Sequence, residues 1–353
     1  MLRPAVELYI GGKRFQFWSS ISVSRTISAI ASMNITIPNP GGILTTRWVA
    51  GTPVELKLGM DTNTPPLFMK GTIEPISFSL SKSGSELNLN NIRDPTLIWE
   101  KELCANDDLT AYSDFSGTNL QAIQNINSLI SDPLTLAAQS STVDIGAVFT
   151  FDRTKKTITV INTHIENGGY EWFYNPGGNN VIIRSPQALT RVNVVRNFVL
   201  ADVNQSPGKP DVSTALLVSD SVEEDPSDIY NRVLGIGTDS EQLVEDIASQ
   251  NNYGIRETIE TYDNISGSAA IRAAAQEFLD NHAFPRISLT IETYGQPNLN
   301  VGDIVYIDDI RYGTVRIPTK IHRIIEITDD IGQDGWKTTI QLANFRPRLT
   351  DFL

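Results

Sequence analysis

Apolar and polar residues alternate along the first hundred residues, which is the pattern of half-buried β-strands. The first two runs, 6–10 and 14–18, flank Gly11-Gly12, and two β-rich runs around a glycine pair predict a hairpin. The alternation recurs at regular intervals in the segments 21–27, 33–37, 53–58, 67–73, 76–80 and 86–90. Many short, evenly spaced strands predict a small barrel or sandwich.

Helical spacing replaces this alternation near residue 100. A helix is predicted over 118–130, where the apolar residues share one face and Asp132-Pro133 provides a stop. A second helix is predicted over 155–167, although its threonine and isoleucine content favours a helix only weakly. A strand–turn–strand unit follows at 170–183, so residues 101–188 are predicted to form an α+β module.

Strand patterns return in the last part of the chain, in the segments 192–200, 230–234, 286–291, 303–307, 320–327 and 336–342. The alanine-rich segment 267–283 predicts the clearest helix of the chain. The stretch Glu223-Glu224-Asp225-Pro226 and the segment 207–210 are predicted to be loops. The sequence therefore predicts a second small β domain that is interrupted by a helix-bearing excursion.

Composition narrows the class of protein. The 353 residues suffice for two or three domains, and the net charge is −13. Such acidity repels phosphate backbones, so we expect no sequence-specific nucleic-acid binding. It suits the wall of a channel through which nucleic acid slides, and it also serves solubility. No apolar run approaches a bilayer span, and the start of the chain lacks a signal-peptide pattern, so synthesis in a cytoplasm is expected.

Thiol and histidine chemistry have weak support in the sequence. The single cysteine, Cys104, excludes an intramolecular disulfide framework and a thiolate cluster, and we expect it to fill an apolar gap. His164, His282 and His322 lie far apart and follow no zinc-binding motif. We interpret all three as surface residues or satisfied core residues.

Carboxylates are numerous, but they concentrate in polar runs that we interpret as solvated loops: Asp107-Asp108, Glu223-Glu224-Asp225 and Asp329-Asp330. Asp107-Asp108 together with Asp114 lacks the regular spacing of a calcium-binding loop. Spacing along the chain does not reveal whether two carboxylates meet in a cleft, so a hydrolase stays open as an alternative.

Two glycine motifs and one aromatic run complete the candidate chemistry. The segment 235–240 lacks the third glycine of a dinucleotide loop and Gly177-Gly178 lacks the lysine of a P-loop, so both are interpreted as turns. In the run 170–174, Trp172 and Tyr174 share one strand face while Phe173 points to the other. We interpret this as core packing on one face and subunit contact on the other, with a carbohydrate-binding surface as the alternative.

Several motifs follow one another in a recognisable order along nearly the whole chain. They are the strand start at 6–15, the segment Asn167-Gly168-Gly169-Tyr170-Glu171-Trp172, the element Tyr253-Gly254-Ile255-Arg256-Glu257 before the alanine-rich helix, and the turn Gly302-Asp303. In this order the chain resembles the hub proteins of phage tail tips and baseplates, the late control protein D-like family. Relatives of that family occur in contractile injection systems.

The resemblance implies a mainly β (α+β) fold with two small tube-like β-barrel domains. On this chain they would be residues 1–100 and 189–353, the second interrupted by the helical excursion at about 236–284. The α+β module at 101–188 would be inserted between them. Members of the family form trimers, in which six tube-like domains match a hexameric tail tube.

The expected function is that of a structural hub, not an enzyme, at the tail tip or baseplate of a virion made in the host cytoplasm. The expected partners are two further copies, tail tube or distal tail proteins, a spike or fibre protein and the tape-measure protein. The genome would pass through an acidic lumen, without specific nucleic-acid binding or stable membrane insertion. The alternatives are a cell-wall or polysaccharide hydrolase of the tail tip and a receptor- or carbohydrate-binding tail module. No catalytic, cofactor-binding or metal-binding residue is assigned, and no cofactor is expected.

Overall fold

A computed structural model of the chain describes residues 4–60, 62, 64–74, 76–81, 84–104, 115–139, 154–187, 189, 191–200, 214–225, 227–262, 265–308 and 321–343. Within these residues the strands are β1 (Pro4–Ile10), β2 (Lys13–Phe15), β3 (Ser20–Thr26), β4 (Ser32–Pro38), β5 (Pro53–Met60), β6 (Leu67–Thr72), β7 (Ile76–Ser81), β8 (Gly84–Arg93), β9 (Leu136–Ala138), β10 (Glu171–Asn175), β11 (Asn180–Arg184), β12 (Val194–Leu200), β13 (Thr214–Asp225), β14 (Arg232–Gly237), β15 (Glu241–Glu245), β16 (Glu257–Tyr262), β17 (Arg286–Tyr294), β18 (Ile304–Asp308), β19 (Ile321–Gly332) and β20 (Gly335–Ala343). The helices are α1 (Leu97–Lys101), α2 (Asn119–Ser128), α3 (Thr157–Asn167), α4 (Ile247–Tyr253) and α5 (Ser268–His282), with 3-10 turns at Pro40–Gly42 and Arg191–Asn193. The prediction of a mainly β fold is confirmed.

One 14-stranded sheet contains strands from both ends of the chain. Its hydrogen-bonded order is β18-β12-β13-β17-β20-β19-β3-β4-β8-β6-β5-β1-β2, with β7 paired to β8. The predicted hairpin around Gly11-Gly12 is confirmed as β1–β2, and both glycines adopt positive φ angles. A strand is present at each place predicted in the first hundred residues, although β2 ends at Phe15 and covers only the start of the predicted run 14–18.

The first core lies beneath β1–β8 and includes residues from the far end of the chain. It contains Leu8, Val23, Met33 and their neighbours, and also Ile331 and Trp336 from the tip of the β19–β20 hairpin. That hairpin reaches the first core because β19 pairs with β3 from Glu326↔Thr26 to Ile331↔Ile21. The two ends of the sequence are thus joined by a continuous strand ladder.

The second core lies among β12, β17, β18, β19 and β20. Together with β13, these strands are neighbours in the order β18-β12-β13-β17-β20-β19. Because β18 also pairs with β19, the first and last strands of this six-strand path are hydrogen-bonded to each other. The prediction of two barrels, with the domain boundaries given above, stays a prediction.

The predicted α+β module has its own core. Helix α2 begins at a capping box in which Thr118 accepts from the Gln121 backbone N–H, and the Gln121 side chain accepts from the Thr118 N–H. Helix α3 ends just before Gly168, as predicted. Both helices pack on the β10-β11-β9 sheet around Trp172, whose ring lies edge-on to Trp99 at 5.1 Å between centroids.

The excursion contains a small sheet that the sequence did not predict. Strand β14 pairs on its two sides with β15 and β16, so residues 232–234, whose pattern predicts a strand of the second β domain, lie in the small sheet and not in the large one. Helix α5 covers one face of this small sheet. A Cβ atom on Gly237 would lie 2.6 Å from the Ile265 carbonyl oxygen, and one on Gly235 would lie 2.9 Å from the Ala275 Cβ. The two glycines lie in the last residues of β14, where their lack of a Cβ lets α5 and the Ile265 backbone approach closely. The predicted turn that closes this strand is confirmed at residues 238–240, where the Gly237 N–H donates to the Ser240 carbonyl at 2.9 Å.

Two acidic runs that were predicted to be solvated loops lie in strands. Residues 223–225 end β13, whose pairing with β17 continues to Asp225↔Arg286. Asp329 and Asp330 lie in β19, where alternation buries the first and exposes the second. The prediction of loops is wrong because polarity does not reveal strand partners that are distant in the sequence, here β17 and β3. Asp107-Asp108, Asp114 and the segment 207–210 lie outside the described residues.

None of the described helices is long and apolar enough to cross a lipid bilayer.

Candidate functional site

The residues singled out for metal or thiol chemistry are buried and dispersed. Cys104 is 2% exposed in the core of the α+β module, as predicted. His164 lies in the same core, where its Nδ1 is 2.8 Å from Asn119 Oδ1 and burial lowers its pKa to about 4. His282 stacks on Phe278, and His322 is fully buried in β19. Across the described ranges, no three His, Cys, Asp or Glu side chains are grouped so as to hold a metal ion.

The aromatic run 170–174 is buried on both of its faces. Trp172 and Tyr174 join the core of the α+β module, whereas Phe173 joins the second core, so the predicted alternation is confirmed. The interpretation of the second face as a subunit contact is wrong, because Phe173 is only 7% exposed and packs within its own chain. A carbohydrate ring cannot stack on this run in the folded protein.

A buried charge cluster joins the α+β module to the large sheet. Glu171 is its centre: Arg184 Nε donates to Glu171 Oε1 at 2.9 Å, and Arg323 Nη1 donates to Glu171 Oε2 at 3.2 Å. The Glu171 and Arg323 side chains are 3% and 6% exposed. Arg184 also lies 3.9 Å from Asp303. Two guanidinium groups thus face two carboxylates, and the charges balance inside the protein.

Gly302 brings the turn before β18 against this cluster. Its φ is +80°, and a Cβ atom there would lie 2.5 Å from both Glu171 Oε1 and Arg184 Nη2. The neighbouring Val301 carbonyl accepts from Arg184 Nη2 at 3.3 Å. Two motifs that are 131 positions apart in the sequence, Glu171 and Gly302-Asp303, therefore meet in the fold. No sequence motif marks Arg184 or Arg323, since each is an isolated basic residue in a strand.

Burial shifts the pKa values of two groups in this cluster, and the same burial keeps a substrate away from them. Burial raises the pKa of Asp303 above its ordinary value, and the Asn300 N–H and Arg184 oppose that rise. Burial lowers the pKa of Arg323, and Glu171 opposes that fall. Since both arginine side chains are mostly buried and already engaged, the arrangement suits holding the module in place.

A second buried cluster lies where β19 crosses from the second core to the first. Asp329 is fully buried and accepts three hydrogen bonds, from Arg25 Nη2 at 2.9 Å, Trp336 Nε1 at 2.9 Å and Thr338 Oγ1 at 2.7 Å. Arg25 also donates to the Leu299 carbonyl at 3.2 Å, and its guanidinium lies over the Phe68 ring. Asp329 therefore connects residues of both cores.

A third buried carboxylate, Asp94, lies where β8 leads into α1. It accepts from the backbone N–H groups of Ala31 and Thr96, each at 2.8 Å, and from the Thr96 hydroxyl. Desolvation outweighs these bonds and raises the pKa of Asp94 to about 6.

The raised pKa of Asp94 predicts a specific pH dependence. The folded protein takes up this proton at a higher pH than the unfolded chain, so the contribution of Asp94 to stability improves as the pH falls from about 6 to about 4. Relative to Asp94→Asn, the wild type should gain on the order of 2–3 kcal/mol in free energy of unfolding over that range. Urea titrations of both proteins at several pH values measure it, and a pH-independent difference would contradict it.

One surface cleft beside β8 and α1 offered a possible carboxylate pair. Its lining includes Glu74 and Glu100. Glu74 accepts from Lys101 at 2.8 Å, and Glu100 is ion-paired with Arg93. Among the described residues that line the cleft, both carboxylates are therefore paired with cations, and neither is the free carboxylate that glycoside hydrolysis requires beside a proton donor.

Comparison with known proteins gives a family-model match over the last part of the chain and a shared fold over nearly all of it. Residues 217–353 match the family model described as prophage endopeptidase tail. No curated protein sequence matches the chain. The tail protein from Neisseria meningitidis MC58 is 14% identical, with a TM-score of 0.71 over 97% of each chain.

Two further solved structures share the fold. The 43 kDa tail protein of prophage MuSo2 from Shewanella oneidensis is 13% identical, with a TM-score of 0.70 over 96% of this chain and 98% of the other. An Escherichia coli component of the type VI secretion system is 10% identical, with a TM-score of 0.58 over 97% of this chain and 77% of the other. That protein is described as structurally similar to bacteriophage T4 tail proteins.

Proposed function

We propose that this chain is a phage tail or baseplate protein and, within that class, the structural hub of a tail tip or baseplate. The match of residues 217–353 to a prophage tail family model and the fold shared with two tail proteins support this proposal. In this role it joins a hexameric tail tube to the central spike or fibre apparatus of a phage or a related injection machine. Its other partners are distal tail and tape-measure proteins, and its place is the virion. The proposed role is not enzymatic.

The observation that carries this proposal is the ladder between β3 and β19. Six consecutive residue pairs, from Glu326↔Thr26 to Ile331↔Ile21, join the β-rich start of the chain to its β-rich end. The Asp329 cluster bridges the same junction. Two tube-like units that are fixed side by side in this way would move as one body, which suits a protein that bears load between a tube and a spike.

Three copies would present six such units in a ring. Closed symmetry of this kind lets a threefold hub match a sixfold tube, because each copy occupies two of the six positions. The six-strand path that closes through β18 and β19 supports a tube-like unit in the second half. The net charge of −13 would make a central lumen acidic, and an acidic lumen would repel the phosphates of a genome and so not bind it as it passes.

The two alternatives draw no support from the described residues. The aromatic run of the carbohydrate-binding alternative is buried, with Trp172 fully enclosed. The carboxylates Glu74 and Glu100 of the surface cleft are engaged in ion pairs.

The mass and shape of the purified protein test the hub proposal. Light scattering at increasing protein concentration should give a three-subunit mass, and negative-stain images should show a ring with a central opening. The same preparation should bind the tail tube protein of its own particle. A compact monomer that also fails to bind tube protein would overturn the proposal.

A further inference from the structure

Charge is distributed very unevenly along this acidic chain. Residues 11–53 contain four basic side chains and no Asp or Glu, although the whole chain has a net charge of −13. Residues 228–262 contain seven acidic side chains and two arginines. The two segments lie in different sheets, the large sheet and the small β15-β14-β16 sheet.

The basic segment forms an exposed apolar surface beside strand β2. Phe17, Ile43 and Val49 are 74%, 78% and 67% exposed. We call this surface, together with the exposed cations Lys13 and Arg47, the basic patch. Phe17 and Trp48, which precedes Val49, both lie beside the Phe15 ring, and exposed apolar side chains that cluster mark interaction sites in soluble proteins.

Packing and hydrogen bonds hold the basic patch in one shape. Phe15 is buried, with the rings of Phe17 and Trp48 at 6.3 and 5.2 Å from its own, and Arg47 lies over Trp48. The Asn39 side chain accepts from the Leu44 N–H at 2.8 Å and so fixes the start of the loop. A surface that is ordered before binding loses little conformational entropy on docking.

The small sheet presents the complementary surface. Its inner face, with Val233 and Val244, packs on α5, so alternation places Leu234, Leu243 and Ile259 together on the outer face. Leu243 and Ile259 are 47% and 61% exposed. The three residues are register partners and form one apolar row across the sheet.

Acidic residues border this row on both sides. On one side Arg232 lies between Glu245 and Glu257, at 3.0 and 2.9 Å, so one cation meets two carboxylates. On the other side Glu241 is exposed beside Ile236. We call the apolar row with Glu241, Glu245 and Glu257 the acidic face.

We propose that the basic patch of one copy of this chain docks on the acidic face of a second copy. Each surface is apolar at its centre and charged at its border, with opposite sign, so the pair is complementary. Contact of either surface with its own kind would oppose like charges. A contact between two different surfaces is head-to-tail, and such contacts close into a ring when the rotation permits. The inference rests on the proposed hub function and specifies how the copies meet.

Single and combined charge reversals test this docking. Arg47→Glu and Glu241→Lys should each weaken self-association about tenfold or more, because each places like charges at the contact. The combined variant Arg47→Glu with Glu241→Lys restores opposite charges at positions 47 and 241 and should recover much of the association. Sedimentation velocity over a protein concentration series measures it, and added salt should weaken the wild type.

Two controls separate docking from folding and from net charge. Asp280→Lys makes the same charge change as Glu241→Lys, but on α5, away from the acidic face, and should leave association unchanged. Arg47→Gln removes the charge without reversing it and should have an intermediate effect. Thermal melting of each variant should match the wild type, since the altered side chains are exposed.

Each remaining outcome overturns the inference. If both single variants associate like the wild type, or if both fail and the combined variant does not recover, the two surfaces do not meet. If Glu241→Lys abolishes binding of tube protein but not self-association, the acidic face serves another partner. If the wild type stays monomeric at low salt, the docking is wrong, while binding of tube protein decides the hub function separately.

Discussion

Replacing Glu171 with alanine is expected to lower the free energy of unfolding by about 3–5 kcal/mol. The change leaves two guanidinium groups without their shared carboxylate, and the Arg323 side chain is only 6% exposed. Water replaces the lost partner of Arg323 poorly, because this side chain is almost wholly buried. Chemical denaturation followed by far-ultraviolet circular dichroism measures the loss.

Glu100→Ala provides the matched control, since it also removes a glutamate that is paired with an arginine. Its side chain is 46% exposed and its partner Arg93 is 34% exposed, so the loss should stay within about 1 kcal/mol. Glu171→Gln should lie between the wild type and alanine, because the amide retains one acceptor oxygen. Equal effects of Glu171→Ala and Glu100→Ala would show that the buried cluster does not stabilise the fold.

The effect of Glu171→Ala should extend beyond stability. Glu171 belongs to β10 of the α+β module, whereas Arg323 belongs to β19 of the large sheet. Loss of the cluster therefore loosens the module from the sheet while each core keeps its own packing. Limited proteolysis should release a fragment at the module boundary earlier in Glu171→Ala than in the wild type.

The local elements of this fold were predictable because their signals are local. Alternation in β3 and β4, the Thr118 start of α2 and the alanine content of α5 each depend on residues within one turn or one strand. Such signals can be read from the sequence without knowing which element the helix or strand packs against.

The pairings between distant strands could not be predicted in the same way. Residues 223–225 contain no local signal for their pairing with β17, and their acidity predicts a loop. Strand β14 matched the period of the second β domain but pairs within the small sheet. Periodicity reports that a face is buried, not which element buries it.

The candidate site shows the same division between local and distant signals. Glu171 and Gly302-Asp303 stood in motifs that the sequence singled out, but their meeting depends on tertiary folding. Arg184 and Arg323 lie in no motif, and the polar run Asp329-Asp330 predicts a solvated loop although Asp329 is buried. A buried carboxylate is recognisable only with its donors, and Arg25 and Trp336 lie on opposite sides of Asp329 in the sequence.

Replacing Asp329 with alanine is expected to cost about 3–5 kcal/mol of unfolding free energy. The change leaves the buried donors of Arg25, Trp336 and Thr338 without their acceptor. A buried donor without an acceptor lowers the free energy of unfolding, and the Arg25 donor also carries a charge. Asp329→Asn keeps an acceptor oxygen for Trp336 and Thr338 but loses the ion pair, so it should cost less than alanine.

The neighbouring residue Asp330 supplies the control, because alternation along β19 points it to solvent. Asp330→Ala should change stability by no more than about 0.5 kcal/mol. Since Asp329 connects residues of both cores, its loss should also split a single unfolding transition into two in calorimetry. A variant that loses stability but still unfolds in one transition would show that the β3–β19 ladder alone couples the cores. In that case the junction relies on backbone pairing, and the Asp329 cluster serves only the local fold.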